Sequence, residues 1–426
     1  MMMEAQKNVP RTNKDLPWYR EINSKQWKAL VASSTGWMLD AMDVTLYAMV
    51  LVYVMADLNM DKSIGGLLAS LTLLSSALGG IIFGMVADKY GRTRSLMISM
   101  IVFALFTALC GFSQTVTQLA VARLLVGIGM GGEWVAGAAL ITETWPAKHR
   151  GKAMGFVQGS WAIGYGLAAV IAGLVLPTFG WRGVFFVGII PAFIAIWIRK
   201  GTDEPDIWKE RQKEQNKTSK KEKGSLKKLF DKKVLRWTIL GSALSICAQF
   251  GYWGLFTWIP TYLATPIEQG GAGLNLMKQT SWIVIMQVGA WLGYVSFGIF
   301  ADKYGRKITF IIFFVMAAIM VPLYGFSQDP TRLLLLGPVV AFFGSGYFSG
   351  FGAVLAELFP TEIRATGQGF AYNFGRAIAA SAPFTIGALA TTMGLGAAFS
   401  ATSVAFGLAA VLVIFFLPET KGKELT

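Results

Sequence analysis

Gly84-Met85-Val86-Ala87-Asp88-Lys89-Tyr90-Gly91-Arg92 returns as Gly298-Ile299-Phe300-Ala301-Asp302-Lys303-Tyr304-Gly305-Arg306, 214 positions further along the chain. Gly111-Phe112-Ser113-Gln114 returns as Gly325-Phe326-Ser327-Gln328 at the same interval. Glu143, Pro146 and Arg150 return as Glu357, Pro360 and Arg364, and Gly155-Phe156 as Gly369-Phe370. One interval kept without drift across four motifs marks an internal duplication. Whatever the first half of the chain builds, the second half builds again.

Each copy of the Asp-Lys-Tyr-Gly-Arg loop lies between two long apolar runs. Crossing a bilayer takes ~20 largely apolar residues per helix. Twelve such segments can be read, roughly 28–55, 64–87, 94–112, 116–142, 152–176, 181–199, 237–263, 279–300, 308–326, 332–358, 367–392 and 397–417. The predicted fold is therefore all-α: twelve transmembrane helices in two six-helix halves in a pseudo-two-fold arrangement. Expected boundaries are a tail at 1–27, a first half at 28–199, a polar linker at 200–236, a second half at 237–417 and a tail at 418–426. The N-terminal stretch is charged and has no apolar core, so no cleaved signal is expected.

Composition agrees. Of the residues, 54% are apolar and only 15% charged, against about 25% charged in an ordinary soluble domain. Cys110 and Cys247 sit in apolar runs, and His149 is the single histidine. That leaves no disulfide framework and no zinc spacing. No nucleophile–base arrangement stands out, so neither an enzyme, a metal nor a cofactor is expected. The net charge of +14 raises nucleic acid as a partner. However, 32 of the 38 Lys and Arg residues fall in the tails, the linker and the loops on one side of the expected topology. The positive-inside rule then puts both termini in the cytoplasm and makes the lipid bilayer, not nucleic acid, the partner. The expected site is the plasma membrane, which is the inner membrane in a Gram-negative cell, and the expected state is a monomer.

The repeated G-x-x-x-D-K-x-G-R loop resembles the signature of the major facilitator superfamily, and the likeness covers almost the whole chain. The E-x-x-P-x-x-x-R element and the closing Pro418-Glu419-Thr420-Lys421-Gly422 are similar to the sugar-porter side of that superfamily. The resemblance implies two halves that rock about a central substrate site. It also implies that the loop motifs govern conformation. Physically, Gly84 and Gly298 would let neighbouring helices approach closely. Asp88 and Asp302 can face the positive N-terminus of a neighbouring helix. Arg92 and Arg306 can pair with Glu143 and Glu357, while Arg150 and Arg364 complete the repeated set. The plainer alternative is that these charges only satisfy topology and solvation.

An ionisable group inside the membrane is a functional candidate by default. Five stand out: Asp40 and Asp43 in segment 1, Arg123 and Glu133 in segment 4, and Arg376 in segment 11. At the offset of 214, Asp40, Arg123, Glu133 and Arg376 correspond to the uncharged Gly254, Gly337, Tyr347 and Ala162. The scaffold is duplicated but the chemistry is not. Asp40 and Asp43 are spaced i,i+3 and share a helical face. Two like charges in a low dielectric cannot both ionise cheaply, so the pair suits proton carriage, alone or with one member paired to Arg123. Asp40-Ala41-Met42-Asp43 resembles the D-G-x-D pattern of aromatic acid:proton symporters, with Ala41 in place of the glycine. Arg123, in R-x-x-x-G-x-G-x-G, falls where the superfamily carries an arginine in its fourth helix, and by resemblance it would influence proton uptake. Glu133 is either a second proton site or a partner for a buried cation.

Arg376 follows Tyr372 and Asn373 in Phe370-Ala371-Tyr372-Asn373-Phe374-Gly375-Arg376. A guanidinium cannot deprotonate and presents a planar fork that fits a carboxylate. Its anion is either a substrate carboxylate or a permanent protein partner. Candidate lining residues are Gln158, Trp161, Tyr165, Gln249, Tyr252, Trp253, Gln287 and Tyr347, each set against a packing or interfacial role.

The leading reading is symport of a small organic monocarboxylate with protons, since anion plus proton crosses as a neutral cargo. The likeness to sialate, lactate and aromatic-acid:proton symporters implies cargo such as lactate, an aromatic acid or nicotinate. A sugar or polyol symporter is the alternative within transport, followed by proton-driven efflux of a metabolite or drug. A metabolite-sensing receptor is the alternative outside it.

Overall fold

The computed structural model describes residues 18–146, 149–194, Glu204, Trp208, 226–360 and 363–419. The first half comprises α1 (Ser24–Asp57), α2 (Lys62–Tyr90), α3 (Arg92–Cys110), α4 (Val116–Thr144) and α5 (Arg150–Val187). The second comprises α6 (Lys232–Phe256), α7 (Ile259–Ala264), α8 (Leu276–Tyr304), α9 (Arg306–Gly325) and α10 (Pro330–Gly346), followed by α11 (Phe348–Leu358), α12 (Arg364–Ala379), α13 (Ala382–Met393), α14 (Leu395–Ser400) and α15 (Thr402–Phe416). The regular structure among the described residues is helical throughout.

Twelve crossings follow once breaks and reversals are separated. Among the described residues, ten helical stretches are long and apolar enough to span a bilayer. The run Lys152–Ile194 holds two crossings. Gly180 interrupts it with φ +64°, and beyond it the chain turns back along α3. Arg182 lies against the Gly111–Ser113 turn, whereas Gly188 meets Thr107 one helical turn inward. The expected segment 6 continues past Ile194 outside the described residues. The remaining crossing is α12 with α13, broken only at Ala380 and Ser381. Leu174, Phe193, Val404 and Phe415 stand largely exposed on the outside of the bundle, surface that hydrocarbon rather than water must cover.

The repeat extends to the helix ends. Asp61 caps α2 by accepting from the Ile64 amide, and Asn275 caps α8 by accepting from Lys278. Thr115 and Asp329 do the same for α4 and α10. Both pairs are again 214 apart. These side chains satisfy amide protons that no helix end can bond within itself. At the opposite face, Gly91 and Gly305 turn between helices at φ +112° and +105°, a backbone region that favours glycine.

We call the face bearing the Arg92 and Arg306 loops inner and the opposite face outer. The two halves meet tightly on the outer side. Gly66 of α2 is so close to α13 that a Cβ would fall 2.3 Å from the Pro383 carbonyl oxygen. Ser70 Oγ accepts from the Phe384 amide at 3.0 Å, and a Cβ at Gly387 of α13 would fall 2.3 Å from the Lys62 carbonyl oxygen. Between α5 and α8 the separation grows inward. A Cβ at Gly173 would meet Thr280 at 2.7 Å, one at Gly166 would reach Gln287 only at 3.9 Å and one at Gly159 would touch the long Trp291 side chain at 3.3 Å, while Gly155 and Gly298 have nothing within 4 Å. This corrects the expected close packing at Gly298: its helix has diverged from α5 at that depth, so the missing side chain fills no contact.

The outer seal yields a test. In Gly66→Val the new methyls would collide with backbone, which cannot yield without parting α2 from α13. A cysteine placed behind the seal by Thr257→Cys, with Cys110 and Cys247 replaced by alanine, is expected to react with an impermeant maleimide from the outer side at least about tenfold faster in Gly66→Val. Unchanged labelling would dismiss the seal.

Candidate functional site

The central cavity sits where the two halves face each other. It holds about 370 Å³ of empty space and is lined by Trp37 of α1, Gln158 and Trp161 of α5, Gln249, Tyr252 and Trp253 of α6, Tyr294 of α8, Phe348 of α11, and Tyr372 and Arg376 of α12. Arg376 is the charged residue among these described lining groups, and it is 4% exposed. Tyr372 and Arg376 are one helical turn apart, so both reach the same wall. Several polar lining atoms are already tied. Gln249 Nε2 donates to Tyr372 O at 3.0 Å, and Trp161 Nε1 donates to Tyr252 Oη at 2.6 Å. The rings brace one another: Trp37 lies tilted on Trp161 at 4.7 Å, and Trp161 meets Trp253 edge to face at 5.9 Å. The result is a stiff aromatic box with a cation in one wall, which can grip a flat apolar body and a carboxylate at once.

Behind this wall, α1 and α4 bury a row of ionisable groups. Asp40, Asp43, Arg123 and Glu133 are each 0–1% exposed. Both carboxylate oxygens of Asp40, Asp43 and Glu133 lack a hydrogen-bond partner, as do Arg123 Nε and Nη1. Asp40 is within Coulombic range of Arg376, and Asp43 of Arg123. Neither pair is bonded, because the aspartate oxygens have no partner. The Glu133 carboxylate packs directly over Gly36, where a Cβ would fall 1.8 Å from Oε1. Gly36 lies one turn before Asp40 on α1, which explains how three acids come to share one seam. The Arg123 guanidinium stacks 4.4 Å above the Tyr47 ring, a contact that spreads its charge without neutralising it.

The sequence profile of the Major Facilitator Superfamily matches residues 34–277 and 268–426. The chain belongs to the major facilitator superfamily. It is 36% identical to the probable 4-methylmuconolactone transporter of Cupriavidus pinatubonensis (strain JMP 134 / LMG 1197) over 95% of this chain and 93% of that one. It is 32% identical to the cis,cis-muconate transport protein of Acinetobacter baylyi (strain ATCC 33305 / BD413 / ADP1) over 93% and 96%. A crystal structure of a D-xylose-proton symporter superposes with a TM-score of 0.76 at 21% identity, covering 94% of this chain and 100% of that one. This facilitator is a multi-pass membrane transporter and not an enzyme.

At the inner face of the facilitator, Arg92 reaches Glu143 with Nη2 at 2.8 Å and Nε at 3.2–3.3 Å. Arg306 donates to Asp302 at 2.8 Å and to Ala301 O at 3.1 Å, with Glu357 at 3.7 Å. Asp302 was expected at a neighbouring helix's N-terminus. Instead it bonds within its own loop, and the N-terminus of α9 is taken by Glu419, which accepts from the Arg306 and Lys307 amides at 3.0 and 3.2 Å. Glu204 does the same for α3, accepting from Thr93 and Arg94 at 3.1 Å each. Two carboxylates therefore sit on two helix dipoles in equivalent places. The side chains of Asp88 and Arg150 lie outside the described residues. Arg364 opens α12.

Glu204→Ala is expected to cost about 1 kcal/mol at this helix end, read as roughly fivefold faster hydrogen exchange at the Thr93 and Arg94 amides. Unaltered exchange there would reject the capping role.

Other sequence-predicted lining residues are placed elsewhere. Asn373 is turned off the cavity wall and donates to Gly369 O of its own helix at 2.9 Å. Gln287 lies outward of the cavity, in the seam where α5 and α8 are still in contact. Tyr347 is fully buried, donates to Ala248 O at 2.8 Å and packs among Phe314, Phe348 and Phe406. Tyr165 donates to Phe256 O and faces a second cavity. Trp37, Tyr294 and Phe348, which the sequence reading passed over, line the central one.

Proposed function

We propose that this facilitator imports a small organic monocarboxylate together with protons by alternating access. The observation that carries the reading is Arg376, a buried guanidinium opening into an aromatic cavity without a bond to Asp40. A permanent charge in that position needs an anion, and a substrate carboxylate meets the need while its flat body lies between Trp161, Trp253 and Tyr372. Asp40 feels the same guanidinium at Coulombic range without bonding it, so an arriving carboxylate neutralises that charge and leaves Asp40 to bind a proton. Asp43 and Glu133 extend the proton seam, and Arg123 biases it. Relatives named for a muconolactone and a muconate support an organic-acid cargo.

The inner face is the cytoplasmic one, with both termini there, in the plasma membrane of the cell, and the monomer is the working unit. Arg92–Glu143, Arg306–Glu357 and the residues beside them form the inner gate, which must rearrange as that side opens and closes.

The test is uptake into proteoliposomes under an imposed pH gradient, using labelled benzoate, nicotinate, muconate, lactate and xylose. Accumulation of a carboxylate driven by an acidic exterior is expected. Accumulation of xylose with no carboxylate uptake would overturn the reading.

A further inference from the structure

A second cavity, holding about 420 Å³ of empty space, lies directly outward of the central one and shares Tyr252 and Trp253 with it. Its position follows from helix register. On α1, Trp37 lines the central cavity and Val44, Thr45, Tyr47 and Ala48 line the outer one, about 10–16 Å further along the helix. On α5 the change runs from Trp161 to Tyr165, and on α6 from Gln249 to Phe256 and Thr257. The two spaces are stacked along one axis, with Tyr252 and Trp253 as the partition.

The outer cavity repeats the design of the central one. Its cation is Arg123, 1% exposed, with Nε and Nη1 unpartnered. A buried guanidinium with two idle donors is costly until an anion meets it. The surrounding hydroxyls do not supply one. Thr45 donates to Ala41 O, Thr72 to Leu68 O, Tyr47 to Gly65 O and Tyr165 to Phe256 O, so their protons are spent on backbone carbonyls. Apart from the neutral hydroxyls of Thr257 and Tyr252, the rest of the wall is rings and aliphatic carbon, including Phe256, Leu73 and Ala69. One cationic end and one flat apolar body describe the same ligand chemistry as the central box. Each arginine also has its own aspartate, Asp43 for Arg123 and Asp40 for Arg376.

We infer that the outer cavity is a second carboxylate station, where Arg123 holds a small planar carboxylate before it passes the Tyr252–Trp253 partition to Arg376. This rests on the reading of Arg376 as the central anchor. Arg123 thereby acquires a ligand-binding role beside its influence on protons, and cargo can occupy the outer station while the central one is filled.

The experiment is equilibrium binding of radiolabelled benzoate to the full-length protein in lipid nanodiscs. Two benzoates per chain are expected. Thr257→Phe, which fills the outer cavity and leaves Arg123 in place, should reduce this to one, as should Arg123→Ala; Arg376→Ala should also leave one. In each case the lost site weakens at least about a hundredfold. One benzoate per chain, removed by Arg376→Ala and indifferent to Thr257→Phe, would overturn the outer station and leave the central reading intact. One benzoate removed by Thr257→Phe and kept in Arg376→Ala would uphold the outer station and overturn the central anchor. No binding by any form would overturn both.

Discussion

Arg376→Ala is expected to lower the apparent affinity for a transported carboxylate by at least about a hundredfold, measured as the concentration dependence of initial uptake into proteoliposomes. A hydrogen bond to a charged partner contributes about 1.5–3 kcal/mol, and a guanidinium offers two such bonds to one carboxylate. Arg376→Lys keeps the charge but loses the planar fork. It should therefore fall between the two, roughly tenfold weaker than the parent. The ordering separates recognition from simple charge balance, for which lysine would serve as well as arginine. Affinity unchanged in both variants would mean that Arg376 holds no substrate, and the function would have to be sought in a neutral cargo.

The second large effect is expected at Asp40. Asparagine has nearly the same shape, so Asp40→Asn removes the titratable group and little else. Without a proton acceptor beside Arg376, the anion must move as a bare charge. On insertion scales a charge at mid-membrane costs ~2.5–3.5 kcal/mol, which corresponds to roughly a hundredfold in rate or population. Gradient-driven accumulation in Asp40→Asn should fall to background. Exchange of preloaded for external acid, which needs no net proton movement, should persist. Full accumulation in the variant would take proton coupling away from Asp40. Loss of exchange as well would show instead that the residue is needed to build the cavity.

Much of this could be read before any coordinates. The twelve crossings, the duplicated loops and the intramembrane charges follow from hydropathy and from one repeat interval, because bilayer thickness imposes a length that few other constraints mimic. The same interval also covers the caps Asp61/Asn275 and Thr115/Asp329, a signal that was available and unused. Positions within the cavity were less legible, and for particular reasons. Helical periodicity gives a face but not a depth. Gln287 shares its face with Tyr294, yet lies two turns outward, where α5 and α8 have not parted. Asn373 is one residue from Tyr372, and that single step turns it off the wall. Tyr347 falls at the junction of α10 and α11, where the helix is interrupted and the ring is drawn into the core of its own half. The capping acid Glu204 escaped because its counterpart Glu419 is 215 positions away rather than 214.

Duties are divided unequally across the pseudo-two-fold axis. Asp40, Asp43, Arg123 and Glu133 all belong to the first half, whereas Arg376, Tyr372, Gln249, Tyr252, Trp253, Tyr294 and Phe348 belong to the second. Most of the proposed lock thus sits on the second half and the proposed engine on the first, with Trp37, Gln158 and Trp161 of the first half closing the cavity. On the proposed reading, a lineage facing a new carbon source could recut most of the lock by changing a few rings in the later half of the gene, leaving the ion-coupling groups as they are. Kin with one drive and many diets are what such a partition favours.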